Sequence, residues 1–400
     1  MKRSSWLETV ASTIGTDPSI EPPVRAELAA IDEALFDNWN LGENMVLVWT
    51  RDDAERRFLQ IRHYGLLEPF RSNGDAATEA QRFIMELLAR PKQTTPAEFD
   101  ALTRTLGPAA HVVRVPSRPD SAVDPELVSG LVRRYGVTLV RERAVMLLDA
   151  VEFSLHSPLE QVAMLNSLSY SVNSAYRQLI SEDVQINFAR SSTGDGFYIW
   201  NRAHTPEANV ALYKLMMLIL ADNAVARSKA KHFPVPQLRA AFHVGEHYEF
   251  YQVEALNPTT FSYIVGHVTI ELSRMIEKSR PGQILLGDFA IESRAGDGTP
   301  QMLGTVDFIE RTNQSLQQLR GLAVANHRIA DIRCYVTGHG RPDGGFEAAS
   351  FLVEDKHGRT RPVFNAKINI HVEDDEPIFL GLQHRALADE GQGADDGGTD

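Results

Sequence analysis

Cysteine is almost absent from this chain, with Cys334 alone in 400 residues. A single thiol excludes a disulfide framework and a cysteine-rich zinc site, and it fits a reducing compartment. Its apolar setting, IRCYV, reads as that of a small buried hydrophobe. Positive charge is also short: 40 Lys and Arg stand against 53 Asp and Glu, a net charge of −13. Phosphate backbones are held by clustered Lys and Arg, so a nucleic-acid surface is not expected. Long hydrophobic runs are missing too. The longest apolar helix face, VALYKLMMLILA at Val210 to Ala221, is broken by Lys214 and falls short of the ~18 apolar residues of a membrane span. The basic N-terminus, MKRSSWLETV, has no continuous apolar stretch of the signal-peptide kind. A cytoplasmic protein with no membrane span is the expectation. Histidine metal motifs are absent as well, with no H-E-x-x-H and no H-D pair. His243 and His247 are four apart, but they read as members of two strands flanking a turn.

The chain is long enough for two or three domains with their own cores. Residues 1–115 read as an N-terminal α+β domain. MVLVWT and RRFLQIRH form a hairpin across the polar RDDAE, a helix runs from about Thr78 to Ala89, and Thr95-Pro96 opens another with Thr95 as N-cap. This domain carries no catalytic constellation, and regulation and scaffolding are both open to it. PSRPDSAVDPE marks a linker over 116–136. A second domain covers 137–385, with an insertion around 290–345 and a β-rich C-terminal extension in which SFLVE and RTRPVFNAKINIHV are two strands. The Gly- and Asp-rich tail 386–400 reads as disordered.

Within the second domain an apolar run ends in an aspartate, VMLLDAVEFS, and 46 residues later a second aspartate sits in STGDGFYIW. Each half has an ordinary reading. Asp149 could cap a helix after a strand, and Gly194-Asp195-Gly196 could be a plain hairpin turn. Together, two such carboxylates can hold a pair of divalent ions about 4 Å apart, the arrangement that serves in-line displacement at phosphorus. The predicted order around them is β-α-β-β-α-β. Ser157 and Glu160 have capping-box spacing, and Val162, Leu165, Leu168, Val172 and Tyr176 recur at three and four. That order is the ferredoxin-like, or palm, arrangement, so the fold class is α+β.

Three later segments complete a pattern: LRAAFHVGEHY from Leu238, YIVGHVTIELSRMIEK from Tyr263 and RPGQILLGD from Arg280. With the two aspartate segments, these make residues 137 to 290 resemble the catalytic domain of the class III nucleotidyl cyclases. No one motif is specific, but five in the right order are. The resemblance implies a homodimeric enzyme that turns a nucleoside triphosphate into a 3′,5′-cyclic nucleotide and pyrophosphate. It implies two Mg²⁺ or Mn²⁺ ions per site on Asp149, Asp195 and the carbonyl of Ala150. The amides of Glu152, Phe153 and Ser154 would face the β and γ phosphates, and Arg274 from the partner chain would stabilise charge on the transferring phosphate. Lys356 or Arg359, at the late hairpin, would take the family's triphosphate-lysine role. An ordinary surface ion pair is the competing reading of Arg274.

The chain departs from the family in four places. Glu152 stands where glycine is usual and is expected to face solvent. Ile270 replaces an asparagine that orients the substrate, and Thr269 is a candidate substitute. Ser191 and Tyr263 replace the pair that reads a purine. Tyr263 could stack on a base, leaving room for a pyrimidine, or it could pack into a dimer core. The competing class is therefore a catalytically inactive dimerising or nucleotide-sensing module on the same fold. A diguanylate cyclase fits less well, because no G-G-D-E-F run occurs.

Overall fold

A computed structural model of the chain describes residues 21–383 apart from 53, 71–75, 118–122, 182–183, 185, 204, 254–259, 295–297, 325–326, 341–345 and 355–357. The chain divides into two compact units. One takes the residues up to Arg141 together with His247–Val265, and the other takes Glu142–Glu246 and the residues from Gly266 on.

The first unit is built on an antiparallel sheet of β1 (Asn44–Asp52), β2 (Glu55–Arg62) and β3 (Ala110–Pro116). Four helices accompany it: α1 (Pro22–Trp39), α2 (Ala76–Ala89), α3 (Pro96–Leu106) and α4 (Pro125–Arg134). Strand side chains alternate, so the sheet buries both faces. Val46, Trp49 and Phe58 pack with Leu28, Ile31 and Leu35 of α1 and Val128, Leu131 and Val132 of α4. Met45, Leu47, Leu59 and Ile61 pack with Leu87 and Leu88 of α2 and Phe99 and Leu102 of α3. The register slips between Val46 and Val48, which returns Val48 to the second face. Thr95 and Glu98 form the reciprocal capping box that starts α3. The stretch 116–136 is not simply a linker: its α4, capped by Asp124, contributes to the core because Leu127, Val128, Leu131 and Val132 fall on one apolar face.

In the second unit the sheet runs β12-β13-β17-β9-β7-β4-β6-β5. Its strands are β4 (Val137–Ala150), β5 (Phe188–Ser192), β6 (Gly196–Asn201), β7 (Leu238–Val253), β9 (Ile284–Gly287), β12 (Ala323–Val324), β13 (His327–Val336) and β17 (Thr360–Val372). Strands β4 and β7 also give residues to the first unit, where β8 (Thr260–Val265) pairs with the far end of β7. Strands β16 (Ser350–Glu354) and β18 (Ile378–Leu380) pair with β17, while β10 (Ala290–Arg294) with β11 (Pro300–Gly304) and β14 (Gly338–Gly340) with β15 (Phe346–Ala348) form small separate sheets. The helices are α5 (Pro158–Ser181), α6 (Pro206–Lys229), α7 (His267–Lys278) and α8 (Thr305–Ser315). The order β4-α5-β5-β6-α6-β7 is the expected β-α-β-β-α-β, and the unit is mixed α/β.

Met146 and Leu148 of β4, Leu168 and Val172 of α5, and Leu212 and Met216 of α6 share one core. Helix α6 is apolar on nearly every side, as a helix enclosed by protein should be. Among the described residues it is the one helix long and apolar enough to cross a membrane, and 83% of its apolar window is buried. Within the expected insertion around 290–345, Phe308 and Ile309 of α8 and Ile332 and Cys334 of β13 sit in that same core. One expectation changes here. LRAAFHV and HYEFYQV are not a hairpin but the single 16-residue strand β7. Gly245 lies within that strand, where a Cβ would meet the His243 ring at 3.4 Å and Val268 at 3.5 Å, ordinary contact distances. The tail 386–400 lies outside the described residues.

Candidate active site

The first aspartate is placed by burial. From Ala144 to Ala150 strand β4 is enclosed, Asp149 included at 7% exposed, and the chain emerges at Val151. The second is placed by pairing and by a turn. Strands β4 and β6 are antiparallel, with Leu148 opposite Phe197 and Asp149 opposite Gly196. A Cβ at Gly196 would lie 1.9 Å from the carbonyl oxygen of Leu148, so only glycine allows this approach. Gly194, at φ +103°, supplies the left-handed residue of the β5–β6 turn. The Ser192 hydroxyl accepts from the Gly194 N–H (3.1 Å), and the Thr193 hydroxyl donates to Asp195 Oδ1 (3.1 Å). The amide of Ala150 donates to the carbonyl oxygen of Asp195 at 3.1 Å, which ties the end of β4 to the turn.

Asp149 has a cationic partner that the sequence reading did not name. Arg239, at the start of β7, donates from Nε (2.9 Å) and Nη2 (2.5 Å), both to Oδ2 of Asp149. The signal was the arginine four residues before His243 in the R-x-x-x-H-x-G strand, but a partner 90 residues away in sequence cannot be read from one motif. Burial pushes the Asp149 carboxyl above the usual range, Arg239 pulls it down, and the negative charge of Asp195 pushes it up again, leaving it raised. The two carboxylates therefore feel each other.

Beyond Asp149 the chain turns sharply. Val151 N–H donates to the Gln237 carbonyl (2.9 Å), and Glu152 adopts the left-handed conformation at φ 56°, a conformation that favours glycine. The Glu152 side chain is exposed, as its expected solvent-facing role requires. Phe153 to Leu155 form a single tight turn, and the Gln161 side-chain amide donates to the carbonyls of Phe153 (3.2 Å) and His156 (3.0 Å). Phe153 is half-buried and Ser154 exposed. Ser157 and Glu160 make the predicted contact at the start of α5, where the Ser157 N–H and hydroxyl both donate to Glu160 and hold its carboxyl below the usual range.

On α7, Arg274 is half-buried and Ile270 is 47% exposed. The hydroxyl of Thr269, the candidate substitute for the asparagine, is engaged at the helix start, accepting from the Gly266 N–H (3.2 Å) and donating to the Gly266 carbonyl (2.9 Å). Its own carbonyl accepts from the Tyr198 hydroxyl of β6 at 3.0 Å. Burial, reinforced by nearby His267, pulls the His243 imidazole down to about 4, so this residue is a neutral packing element. A Cβ at Gly287 would sit 2.2 Å from His243 Nδ1, and the space that glycine leaves is filled by this ring.

The remaining candidates are dispersed. Ser191 lies in β5 opposite Tyr198. Tyr263 belongs to the first unit, where its ring stacks on Phe250 with centroids 5.9 Å apart. Arg359 is exposed beside the turn residue Gly358, and Lys356 lies outside the described residues. Arg361, two residues on, contacts Glu271 of α7.

Among the described residues no group of three or more His, Cys, Asp or Glu is gathered for a metal. The pair Asp149 and Asp195 still fits a hard divalent cation in kind. The charge of Asp195 raises the cost of ionising Asp149, which a bound cation would relieve, and Mg²⁺ or Mn²⁺ takes few protein oxygens, completing its shell from water and phosphate.

No family model matches the chain, and no curated protein matches it. Among solved structures the chain is similar to class III adenylyl and guanylyl cyclase catalytic domains. One is the guanylate cyclase domain of RhGC from Catenaria anguillulae in complex with GTP, at 12% identity and TM-score 0.36, covering 59% of this chain and 98% of that one. Another is the adenylyl cyclase CyaB from P. aeruginosa, at 14% identity and TM-score 0.33, with 60% and 97% covered. A third is the non-canonical dimeric guanylyl cyclase domain of the RhoGC fusion protein from Blastocladiella emersonii, at 13% and TM-score 0.29, with 41% and 95% covered. Similarity of this degree carries no chemistry, which rests on the residues themselves.

Proposed function

We propose that the chain is a nucleotidyl cyclase acting on a nucleoside triphosphate, with Asp149 and Asp195 at its centre. The observation that carries this reading is the tie between the end of β4 and the β5–β6 turn, through the 3.1 Å bond from Ala150 N–H to the Asp195 carbonyl. Asp149, Asp195 and the Ala150 carbonyl would hold Mg²⁺ or Mn²⁺. Such ions, when bound, activate an attacking hydroxyl and neutralise a departing phosphate. The amides of 152–154 belong to a turn that Gln161 holds through the carbonyls of Phe153 and His156, beside the start of α5, a place that favours anionic phosphate. Arg239 holds Asp149 through Oδ2. Its planar, always-charged fork is suited to exchanging that carboxylate for a phosphate oxygen. Arg274, from a second copy of the chain, is assigned the charge on the transferring phosphate, and two equivalent sites would follow from two-fold symmetry. Ser191 and Tyr263 are the base-reading positions, and Lys356 or Arg359 the distal phosphate contact. A cytoplasmic setting accords with the single reduced cysteine.

A second reading has specific support. Arg239 occupies one oxygen of Asp149, Ile270 offers no hydrogen bond, and the Thr269 hydroxyl is already committed; all three suit a nucleotide-sensing module without turnover. Incubating purified protein with ATP, GTP, CTP and UTP separately, in manganese and in magnesium, separates the two. A cyclic mononucleotide and pyrophosphate from any of them supports the enzyme. Nucleotide binding without product supports the sensing module.

A further inference from the structure

A cavity of about 610 Å³ opens in the second unit beside the start of α6, away from Asp149. Its volume is in the range of small-molecule sites, about 300–1,000 Å³. Val210 and Ala211 of α6, Ile291 of β10, Leu303 of β11 and Phe308 of α8 give it apolar walls. Against these stands Lys214, 4% exposed, whose Nζ donates to the Ser315 carbonyl (3.3 Å) and the Gln318 side-chain oxygen (2.9 Å). Both acceptors are neutral, and an ammonium has three donors. No carboxylate pairs with Lys214 among the described residues, and burial alone pulls its pKa down. A buried cation without a counter-charge is costly unless an anion joins it. Arg311, also on the cavity wall and donating to the Ser293 hydroxyl (2.7 Å), adds a second positive charge, while exposed Glu207 contributes the one acidic group on the wall.

We infer that this cavity is a binding site for a small apolar carboxylate, with the carboxylate on Lys214 and Arg311 and the apolar body against Leu303 and Phe308. The inference does not depend on the cyclase reading, since no residue of the site belongs to the Asp149 constellation. An apolar ligand without charge would leave the cation unpaired, and an amine would be repelled by it.

The test is calorimetric titration of the full chain with octanoate, octanol and octylamine. Octanoate should bind saturably, at least about tenfold more tightly than octanol, the effect of one charge-assisted hydrogen bond. Octylamine should show no saturable heat. Glu207→Gln, at the surface, should tighten octanoate several-fold, and Lys214→Met should bring it down to the octanol level. Leu303→Trp, which fills the cavity without touching a charge, should abolish binding of both, and it locates the site even where Lys214→Met fails to fold. Absence of octanoate binding, equal binding of octanoate and octanol, or octanoate affinity unchanged in folded Lys214→Met or Leu303→Trp would overturn the inference.

Discussion

Replacing Arg239 by Met isolates the Asp149 carboxylate, and the resulting loss measures how far this site depends on a cation. The side chains of the pair are 25% and 10% exposed, and both N–H groups fall on one oxygen. An exposed ion pair is worth about 0.2–1 kcal/mol. Hydrogen bonds to a charged group in a largely buried setting contribute about 1.5–3 kcal/mol, and removing one partner of a fully buried pair costs about 3–5 kcal/mol. This pair lies between those limits, so Arg239→Met should destabilise the second unit by about 2–3 kcal/mol. In a double-mutant cycle with Asp149→Asn the coupling should be about 2 kcal/mol. The assay is urea denaturation followed by tryptophan fluorescence, because Trp200 in β6 reports the second unit and Trp39 and Trp49 the first. Removing Arg239 also raises the Asp149 carboxyl further, since both influences that lower it, the hydrogen bonds and the charge of Arg239, are lost together. A carboxyl whose folded pKa is raised loses stability as pH rises from its unfolded value through its folded one. Arg239→Met should therefore be closer to wild type in acid than at neutral pH, and Mg²⁺ should recover part of the neutral-pH loss. A coupling under about 0.5 kcal/mol, or a loss independent of pH, would refute this reasoning.

Three further outcomes follow from Lys92, Gly287 and Tyr263. Lys92 is 2% exposed, donates to the Val137 carbonyl (2.8 Å) and is pulled from 10.5 to about 7 by burial and then by Arg133. Its charge penalty, about 5 kcal/mol at most, is full below pH 7 and fades by pH 10.5, so stability of the first unit should rise with pH in that window, and Lys92→Met should flatten the rise in a pH series of denaturation curves. Gly287→Ala forces its methyl onto His243 and should cost about 1–3 kcal/mol in the same assay, with wild-type stability expected if the ring can move aside. Tyr263→Asp should alter nucleotide preference in a binding panel; unchanged preference would assign Tyr263 to packing with Phe250 alone.

Much of the site's scaffold was legible because it rests on local chemistry. A strand ending in aspartate, a turn that only glycines permit and a Ser157–Glu160 cap are all written in neighbouring residues. What stayed hidden depends on distance in sequence. Arg239 meets Asp149 across 90 residues, and the Thr269 hydroxyl is claimed by its own helix start in a way that its side-chain type does not announce. The proline-rich lead into Asp124 looks like a linker, yet the next helix has an apolar face that the first unit buries. Gly245 suggested a turn, but β7 runs through it as one strand.

The most direct test of the central claim compares wild type, Asp149→Asn and Asp195→Asn for conversion of each nucleoside triphosphate in manganese, with products resolved by mass spectrometry and folding checked by circular dichroism. A cyclic mononucleotide from the wild type, reduced at least about a hundredfold in both folded variants, is the predicted result, equivalent to about 2.7 kcal/mol or more of lost transition-state stabilisation. Product formed equally by wild type and either variant, or no product from any of the three, would contradict the account.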